Sequence, residues 1–344
     1  MSSPRRDPAS TRMFQEAAQA GAVVRAQIEA NAVCVARLAK RLRDTPPRMA
    51  VTCARGSSDH AATFAKYLFE TRLGLVTASA APSVSSVYGA RQDLRDALFL
   101  TISQSGRSPD IIAAARAAQE AGALVVAAVN DEASPLATLA DFTLPLCAGE
   151  EKSVAATKSY VASLSALVHL ASEWSRDTAL RSALARLPGD LDAAWALDWT
   201  PALEALTPAS HLYVIARGVG LGIAQEAALK CKETCGLHAE AFSSAEVRHG
   251  PQALLRERFP ALVFCQDDET RSGTQALARE LAARDVPVWL AGGDKGNLPS
   301  IHSHAVVEPI LLAESFYRFA NALAVARGHD PDDPPHLRKV TETL

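Results

Sequence analysis

The residues best suited to chemistry begin with a run of hydroxyl side chains around one glycine, Thr101-Ile102-Ser103-Gln104-Ser105-Gly106-Arg107-Ser108. Residues 97–103 predict a buried strand, and a helical pattern starts at Pro109. The loop between them gathers hydroxyls and free backbone N–H groups, and its glycine lets a ligand approach the backbone closely. Such a loop suits a phosphate dianion. An ordinary turn in which Ser108 caps the helix explains the same residues, and the loop alone does not separate the two hypotheses.

A second strand end carries similar residues. Residues 49–54 predict a strand, and Arg55-Gly56-Ser57-Ser58 follows it before a helix. Further strands are predicted at 76–79, 124–129 and 142–146, with helices between them, which indicates a parallel sheet covered on both faces. Ligands of such sheets bind beyond the carboxyl ends of the strands. Two strand ends that offer hydroxyls and glycine therefore favour the phosphate hypothesis.

Ser153 and Thr157 follow the last predicted strand and precede a long helix. They are expected either to cap that helix or to close over the same pocket.

Charged residues in the second half share one face of a predicted helix. Glu226, Lys230 and Glu233 are four and three residues apart, and a solvated ladder of ion pairs is the usual meaning of that spacing. Their neighbours leave little room for a fully hydrated helix: Ala227, Ala228, Leu229, Cys231 and Cys235. Arg248-His249-Gly250-Pro251 is a sharp break that holds one imidazole, and no structural need explains a histidine there.

The chain repeats itself. Ala54-Arg55-Gly56 and Ala216-Arg217-Gly218 lie 162 residues apart, and the same offset carries residues 100–104 onto 262–266. We infer an internal duplication of one α/β unit. In the second copy Asp267-Asp268-Glu269 replaces the residues around Gly106, and these carboxylates would repel a phosphate. The first copy alone is therefore expected to bind the anion.

Composition excludes several classes of protein. The chain has 344 residues, 48% of them hydrophobic, and a net charge of −3. This length predicts two domains, and the charge argues against nucleic-acid binding. The apolar runs are too short for a membrane span, and the polar N-terminus, expected to fray over residues 1–10, does not resemble a signal peptide. We therefore expect a soluble, cytoplasmic protein that does not bind membranes.

No cofactor is predicted. No pair among the six cysteines has metal-ligand spacing, and Cys231 and Cys235, one helical turn apart, are expected to be packing residues in a reduced compartment. Gly218-Val219-Gly220-Leu221-Gly222 is similar to a dinucleotide fingerprint, but its third glycine comes one residue early and no acidic residue ends a strand at the required distance.

Taken together, these motifs resemble a known family. The sequence from about residue 45 to the C-terminus resembles the tandem sugar isomerase (SIS) domains that form the isomerase half of glucosamine-6-phosphate synthase. It also resembles stand-alone SIS enzymes described as glucosamine-6-phosphate deaminases. The resemblance implies two flavodoxin-like SIS domains at 46–190 and 191–330, each a parallel sheet flanked by helices. A helical segment at 1–45 precedes them, and a tail at 331–344 closes the active site.

The resemblance also implies roles for individual residues. Glu233 resembles the base that moves a proton between C1 and C2. His249 resembles the acid–base group that opens the sugar ring, which in the family can come from the partner subunit. Lys230 is similar to a lysine near the substrate, and Lys339 to the tail lysine that reaches the open-chain carbonyl. The remaining positions resemble the family's phosphate and sugar contacts: Gly56, Ser57, Ser58, Ser103, Gln104, Ser105, Ser108, Val154 and Ala156.

These roles imply deamination of glucosamine 6-phosphate to fructose 6-phosphate and ammonia, by a homodimer that needs no metal or redox cofactor. Two features depart from the synthase. No cysteine follows Met1 to release nitrogen from glutamine, and Ala156 stands where the synthase has a serine against the sugar. A fructosamine-6-phosphate deglycase and a galactosamine- or tagatose-type isomerase-deaminase stay open as alternatives. A sugar-phosphate sensor without catalysis is an alternative of another class.

Overall fold

The structure is a computed structural model, and it describes residues 6–294 and 296–339. Its strands are β1 Met49–Cys53, β2 Thr77–Ser79, β3 Ala97–Ser103, β4 Leu124–Val129, β5 Phe142–Pro145, β6 His211–Ala216, β7 His238–Ser243, β8 Ala261–Cys265 and β9 Val288–Gly292. Its α-helices are α1 Arg12–Ala17, α2 Ala20–Asp44, α3 Ser57–Leu73, α4 Ser83–Ser86, α5 Pro109–Glu120, α6 Pro135–Leu139, α7 Lys158–Ser175, α8 Thr178–Trp195, α9 Leu203–Leu206, α10 Leu221–Cys235, α11 Arg271–Ala282 and α12 Glu308–Ala326.

The described chain forms two compact units, each with its own parallel sheet. The first-sheet unit comprises Ala22–Glu150 and Ser159–Ala185, and its sheet has the order β2-β1-β3-β4-β5. The second-sheet unit comprises residues 6–21, Glu151–Lys158 and Arg186–Lys339, and its sheet has the order β7-β6-β8-β9. Every strand pair is parallel. The predicted fold class is confirmed.

The first sheet has flavodoxin-like strand order, in which the connections reverse direction between β1 and β3. All seven residues of β3 are buried, as expected for a central parallel strand with helices on both faces. Ile111, Ala115 and Ala118 place one face of α5 against the strands. The loops that follow β1 and β3 therefore sit at the switch point, where such sheets bind ligands.

The four strands of the second sheet within the described residues follow the order that β2-β1-β3-β4 have in the first sheet. Helices α5 and α11 lie 162 residues apart at both ends, as the duplication predicted. Leu277 and Leu281 of α11 are buried against the core residues of β6 and β8. The domain borders predicted at residues 45, 190 and 330 follow the sequence repeat and differ from the bounds of these compact units. They stay a prediction.

The N-terminal residues are more ordered than expected. Residues 8–10 form a 3-10 helix that Asp7 caps, and Arg6 forms ion pairs with the tail residues Asp330 and Asp332. The expectation of fraying is therefore wrong for residues 6–10, because partners distant in the sequence hold them. Across the two described stretches of the chain, no helix combines the length and the apolar character needed to cross a membrane.

Candidate functional site

Gly106 forms the turn at the end of β3. Its φ angle is +62°, and a Cβ atom built on it would lie 2.2 Å from the hydroxyl oxygen of Ser134. Its N–H donates to Ser103 Oγ at 3.1 Å, and its carbonyl accepts from the N–H of Leu136 at 3.2 Å. Only glycine fits both the left-handed backbone and this close approach.

The hydroxyl at the end of this loop does not cap the helix that follows. Ser108 occupies the N-cap position of α5, but its side chain makes no capping hydrogen bond. The hypothesis of a simple capping turn is therefore wrong for the Ser108 hydroxyl. Gln104, Ser105 and Ser108 are half-buried, and Ser103 is 7% exposed. A loop with partly exposed hydroxyls in front of a helix start is suited to an anion.

The loop after β1 lies beside this turn. Strands β1 and β3 are neighbours, with Cys53 opposite Thr101. Gly56 precedes α3 with a φ angle of +55°, and Ser57 and Ser58 begin that helix half-buried. The structure therefore brings together the predicted hydroxyl residues of both loops at the switch point of the first sheet.

An ion pair ties the two loops together. Arg55 Nε lies 3.0 Å and Nη2 lies 2.8 Å from Oδ2 of Asp110, which is fully buried in the first turn of α5. Oδ1 of Asp110 accepts from the N–H of Ile111 at 2.8 Å. A buried carboxylate with charge-assisted bonds is a firm anchor. The spacing between Gly56 and Gly106 is therefore set by side chains as well as by the sheet.

A cavity of about 340 Å³ lies elsewhere in the first-sheet unit. It is bordered by α5 and the 80–94 segment, with Arg91, Leu94 and Phe99 among its lining residues. Its lining does not include the residues of either loop, so the cavity is not evidence for a ligand site at the loops.

The charged residues of α10 form a buried cluster. Lys230 is 1% exposed, hydrogen-bonds Glu233, and lies 3.4 Å from Oε1 of Glu226. Burial by itself would lower the pKa of Lys230, but the charges of Glu226 and Glu233 outweigh it and raise that pKa. The interpretation of a solvated ladder is therefore wrong. Lys230 stays cationic between two carboxylates, and the side chain of Glu233 keeps 21% exposure, so it can meet a ligand.

Sequence reasoning missed a fourth member of this cluster. Tyr317 of α12 is fully buried, and its hydroxyl donates to Oε1 of Glu226 at 3.1 Å. Helices α10 and α12 pack together along this contact. The partners are 91 residues apart, so no local pattern signals the contact. Glu226 was visible as part of the stripe but received no role.

Lys339 contacts the segment 151–158, which belongs to the same unit. Its Nζ lies 2.9 Å from Oε2 of Glu151 and 2.7 Å from the carbonyl oxygen of Ser153. The other oxygen of Glu151 accepts from the N–H of Thr157 at 3.0 Å. Val154 and Ala156 are half-buried in the same segment. The tail lysine is thus held beside two residues that the resemblance assigned to the sugar.

The hydroxyls of Ser153 and Thr157 are buried, and neither has a hydrogen-bond partner within the described residues. Capping, one of the two alternatives for these residues, is therefore not what their side chains do. Buried polar atoms are seldom left unpaired in proteins. Unpaired hydroxyls beside Lys339 are compatible with a ligand in this place.

His249 is not part of either cluster. It is an exposed residue at the end of the 3-10 helix Glu246–His249, just before Gly250, whose φ angle is +142°. Within residues 6–294 and 296–339, its imidazole makes no hydrogen bond or ion pair and does not join Glu233. The tail residues 340–344, predicted to help close the active site, lie outside the described residues.

The second copy of the loop is filled by its own side chains. Asp268 accepts from Thr270 N at 2.8 Å and bonds Gln266, while the N–H of Asp267 donates to Glu308 at 2.6 Å. An anion would meet carboxylates there. In the part of the chain that the structure describes, no group of three or more His, Cys, Asp or Glu side chains is placed to hold a metal ion.

Comparison with known proteins agrees with this architecture. The model of the SIS domain matches residues 46–173 and 205–297. A glutamine–fructose-6-phosphate aminotransferase (isomerizing) of Zymomonas mobilis is 32% identical over 311 residues, covering 83% of this chain and 50% of that protein. The chain spans about half the length of the curated relatives it matches.

Solved structures extend the comparison. A protein provisionally named a phosphosugar isomerase, from Silicibacter pomeroyi, superposes with a TM-score of 0.90 at 44% identity, covering 94% of this chain and all of that one. Glucosamine-6-phosphate deaminase of Thermotoga maritima superposes with a TM-score of 0.80 at 22% identity, covering 97% of this chain and all of that one. At that identity the likeness concerns the fold alone. With both sheets matched by the family model, the chain belongs to the SIS domain family.

Proposed function

We propose that this protein is a phosphosugar enzyme that isomerises and deaminates glucosamine 6-phosphate, giving fructose 6-phosphate and ammonia. The observation that carries the proposal is the cluster on α10, where buried Lys230 pairs with Glu226 and with the partly exposed Glu233. A carboxylate that is held in place yet still accessible is the group that a proton transfer between adjacent carbons requires.

The first-sheet unit supplies the complementary part of the proposal. Its two hydroxyl-bearing loops stand at the switch point, with Arg55 and Asp110 between them. They suit the phosphate of the sugar, whose binding would orient the reacting carbons. Recognition of the phosphate would be separate from the chemistry, which falls to the acid–base residues.

The reaction balances with one water molecule and no redox partner. His249 opens the pyranose ring to the aldehyde, and Glu233 removes the proton from C2 to give an enolamine. Return of the proton to C1 gives an imine at C2. Water adds to this carbon, the C–N bond breaks, and ammonia leaves with fructose 6-phosphate. Lys339, paired with Glu151, would donate a hydrogen bond to the oxygen of the open-chain carbonyl and so polarise it.

Relatives support the substrate class. The matched aminotransferase, 32% identical to this chain, is named for fructose 6-phosphate and for isomerisation. We also propose a homodimer, because His249 is exposed and lies outside both clusters within the described residues. The imidazole at each site would then be His249 of the partner subunit.

The test is an assay of ammonia and fructose 6-phosphate from glucosamine 6-phosphate, without added cofactor. Equal amounts of the two products are expected. Turnover of fructosamine 6-phosphate or galactosamine 6-phosphate instead would replace the substrate but keep the class of reaction. Binding that raises the Tm without turnover of any of these sugars would indicate a sensor and contradict the proposal.

A further inference from the structure

Helix α1 is hydrogen-bonded to segment 151–158, which contacts Lys339. The carboxylate of Glu16, which is 9% exposed, accepts from the N–H of Lys152 at 2.6 Å and from the N–H of Ser153 at 3.0 Å. The carbonyl of that same Ser153 accepts from Lys339 Nζ. Glu16 therefore fixes the residue to which the lysine is anchored, without touching the lysine itself.

A second contact holds the other end of the same segment. Lys158 is 4% exposed, and its Nζ donates to Oε1 of Gln19, just beyond α1, at 2.8 Å. Segment 151–158 is thus attached to the N-terminal residues at both its ends.

The tail that carries Lys339 is attached to the start of the same helix. The carboxylate of Asp332 accepts from the N–H groups of Arg12 and Met13, each at 2.9 Å, and pairs with Arg6 at 2.7 Å. A carboxylate at a helix N-terminus satisfies N–H groups that have no partner within the helix. The contacts therefore form a closed ring, from the tail through α1 and segment 151–158 to Lys339 and back to the tail.

We propose that Glu16 is a positioning residue for Lys339. The inference rests on the proposed function only in the use it gives to the lysine. A lysine has a flexible four-carbon stem, so the place of its ammonium depends on fixed acceptors. Here the acceptors are Glu151 and the Ser153 carbonyl, and Glu16 holds the backbone at Lys152 and Ser153, with one carboxylate oxygen on each N–H. Helix α1, which precedes both sheets in sequence, thus positions the side chain of Lys339, near the other end of the chain.

The test is Glu16→Ala in the full chain, first without any sugar. Amine acetylation followed by mass spectrometry gives the labelling rate of Lys339 relative to the exposed Lys232 on α10. The ratio should rise several-fold in the variant, because the Lys339 ammonium loses a fixed anchor. With substrate, kcat should fall on the order of 100-fold, since misplacing a reacting group by about 1 Å has this effect, while KM should change little.

Ser315→Ala is the matched control. The Ser315 hydroxyl is buried in the same unit and donates to the carbonyl of Ala194 at 2.8 Å. Its loss should lower the Tm without changing the labelling ratio or kcat. If Glu16→Ala does not fold, Gln19→Ala removes the other anchor and should shift labelling and kcat in the same directions.

Two results would overturn the inference: an unchanged labelling ratio in the anchor variant, or a raised ratio with unchanged kcat. Failure of the proposed function would look different. The unaltered protein would then turn over none of the sugars, while the labelling ratio would still decide whether Glu16 holds Lys339.

Discussion

Arg55 reaches Asp110 with two guanidinium nitrogens on one carboxylate oxygen, at 3.0 and 2.8 Å. The two residues lie 55 positions apart and belong to the loops that follow neighbouring strands. The carboxylate is fully buried, whereas the guanidinium is 53% exposed. This contact links the loop after β1 to the loop after β3. The hydroxyls of the two loops are therefore held at a fixed distance from each other.

Asp110→Asn should weaken phosphosugar binding. The substitution keeps the shape of the side chain but removes the charge that holds Arg55, and a hydrogen bond to a charged group contributes about 1.5–3 kcal/mol. We expect the Kd for fructose 6-phosphate, measured by calorimetry, to rise about tenfold, equivalent to about 1.4 kcal/mol. Asp93→Asn breaks the exposed pair with Arg95 and should leave the Kd unchanged. Equal Kd values for all three proteins would contradict the role of the ion pair.

Gly106→Ala should destabilise the protein more than Gly74→Ala. Both glycines have φ near +60°, but a Cβ at Gly74 meets nothing within 4 Å, whereas one at Gly106 lies 2.2 Å from Ser134 Oγ. The strained backbone costs roughly 1–2 kcal/mol in each case, and Gly106→Ala adds the clash. Urea unfolding gives the difference, and equal losses of stability would show that the turn can relax.

Glu233→Gln should abolish turnover and leave binding intact. In the proposed reaction the amide cannot accept the proton from C2, while the loop at residues 103–108, which we propose to bind the phosphate, is unchanged. Removing a general base typically lowers kcat by about 10²–10⁴-fold. Ammonia release and the Kd for fructose 6-phosphate are the two measurements. Loss of binding in the variant would mean that Glu233 holds the sugar rather than acting on it.

Lys230→Met should strongly destabilise the second-sheet unit. The variant leaves the buried carboxylate of Glu226 without its cation, and breaking a buried pair costs about 3–5 kcal/mol. Adding Glu226→Gln removes the buried negative charge and should restore part of the free energy of unfolding. Denaturant unfolding of the single and double variants decides the matter. A double variant no more stable than Lys230→Met would contradict this account.

Glu314→Gln should become more stabilising as the pH rises. Burial, aided by the charge of Asp192, raises the pKa of Glu314 well above its ordinary value. Between the unfolded and folded pKa values the native state holds more protons, so stability falls as pH increases. The glutamine variant lacks this dependence, so the difference in Tm between variant and unaltered protein should grow from pH 5 to pH 8. Glu29→Gln, at an exposed position of α2, is the control and should show no such trend.

The parts of the fold that depend on local sequence were predictable. Residues 97–103 and 124–129 are strands as predicted, because continuous apolar runs form the centre of a parallel sheet. The duplication placed α11 correctly. For α10, spacing alone favoured a solvated stripe, and that was wrong, because spacing shows which face residues share but not whether that face is buried. That depends on α12, which arrives from far along the chain.

In the candidate site, too, the features set by local sequence were predictable and the long-range contacts were not. Gly56 and Gly106 were visible as glycines in hydroxyl-rich loops, and the structure gives each a positive φ. Their connection through Arg55 and Asp110 was not visible, nor was the hold of Glu16 on Ser153. Both join residues that no helical or strand period relates, so only the tertiary structure shows them.

The second-sheet unit contains residues from both ends of the described chain, with Arg6 paired to Asp332. On the ribosome, the described residues of the first-sheet unit are all made before synthesis reaches Arg186, and domains generally fold as units as they emerge. The second-sheet unit cannot complete its contacts until the tail emerges. The buried cluster on α10 and Lys339 should therefore be the last parts of the described chain to mature, and a fragment that starts at residue 191 would lack both α1 and segment 151–158.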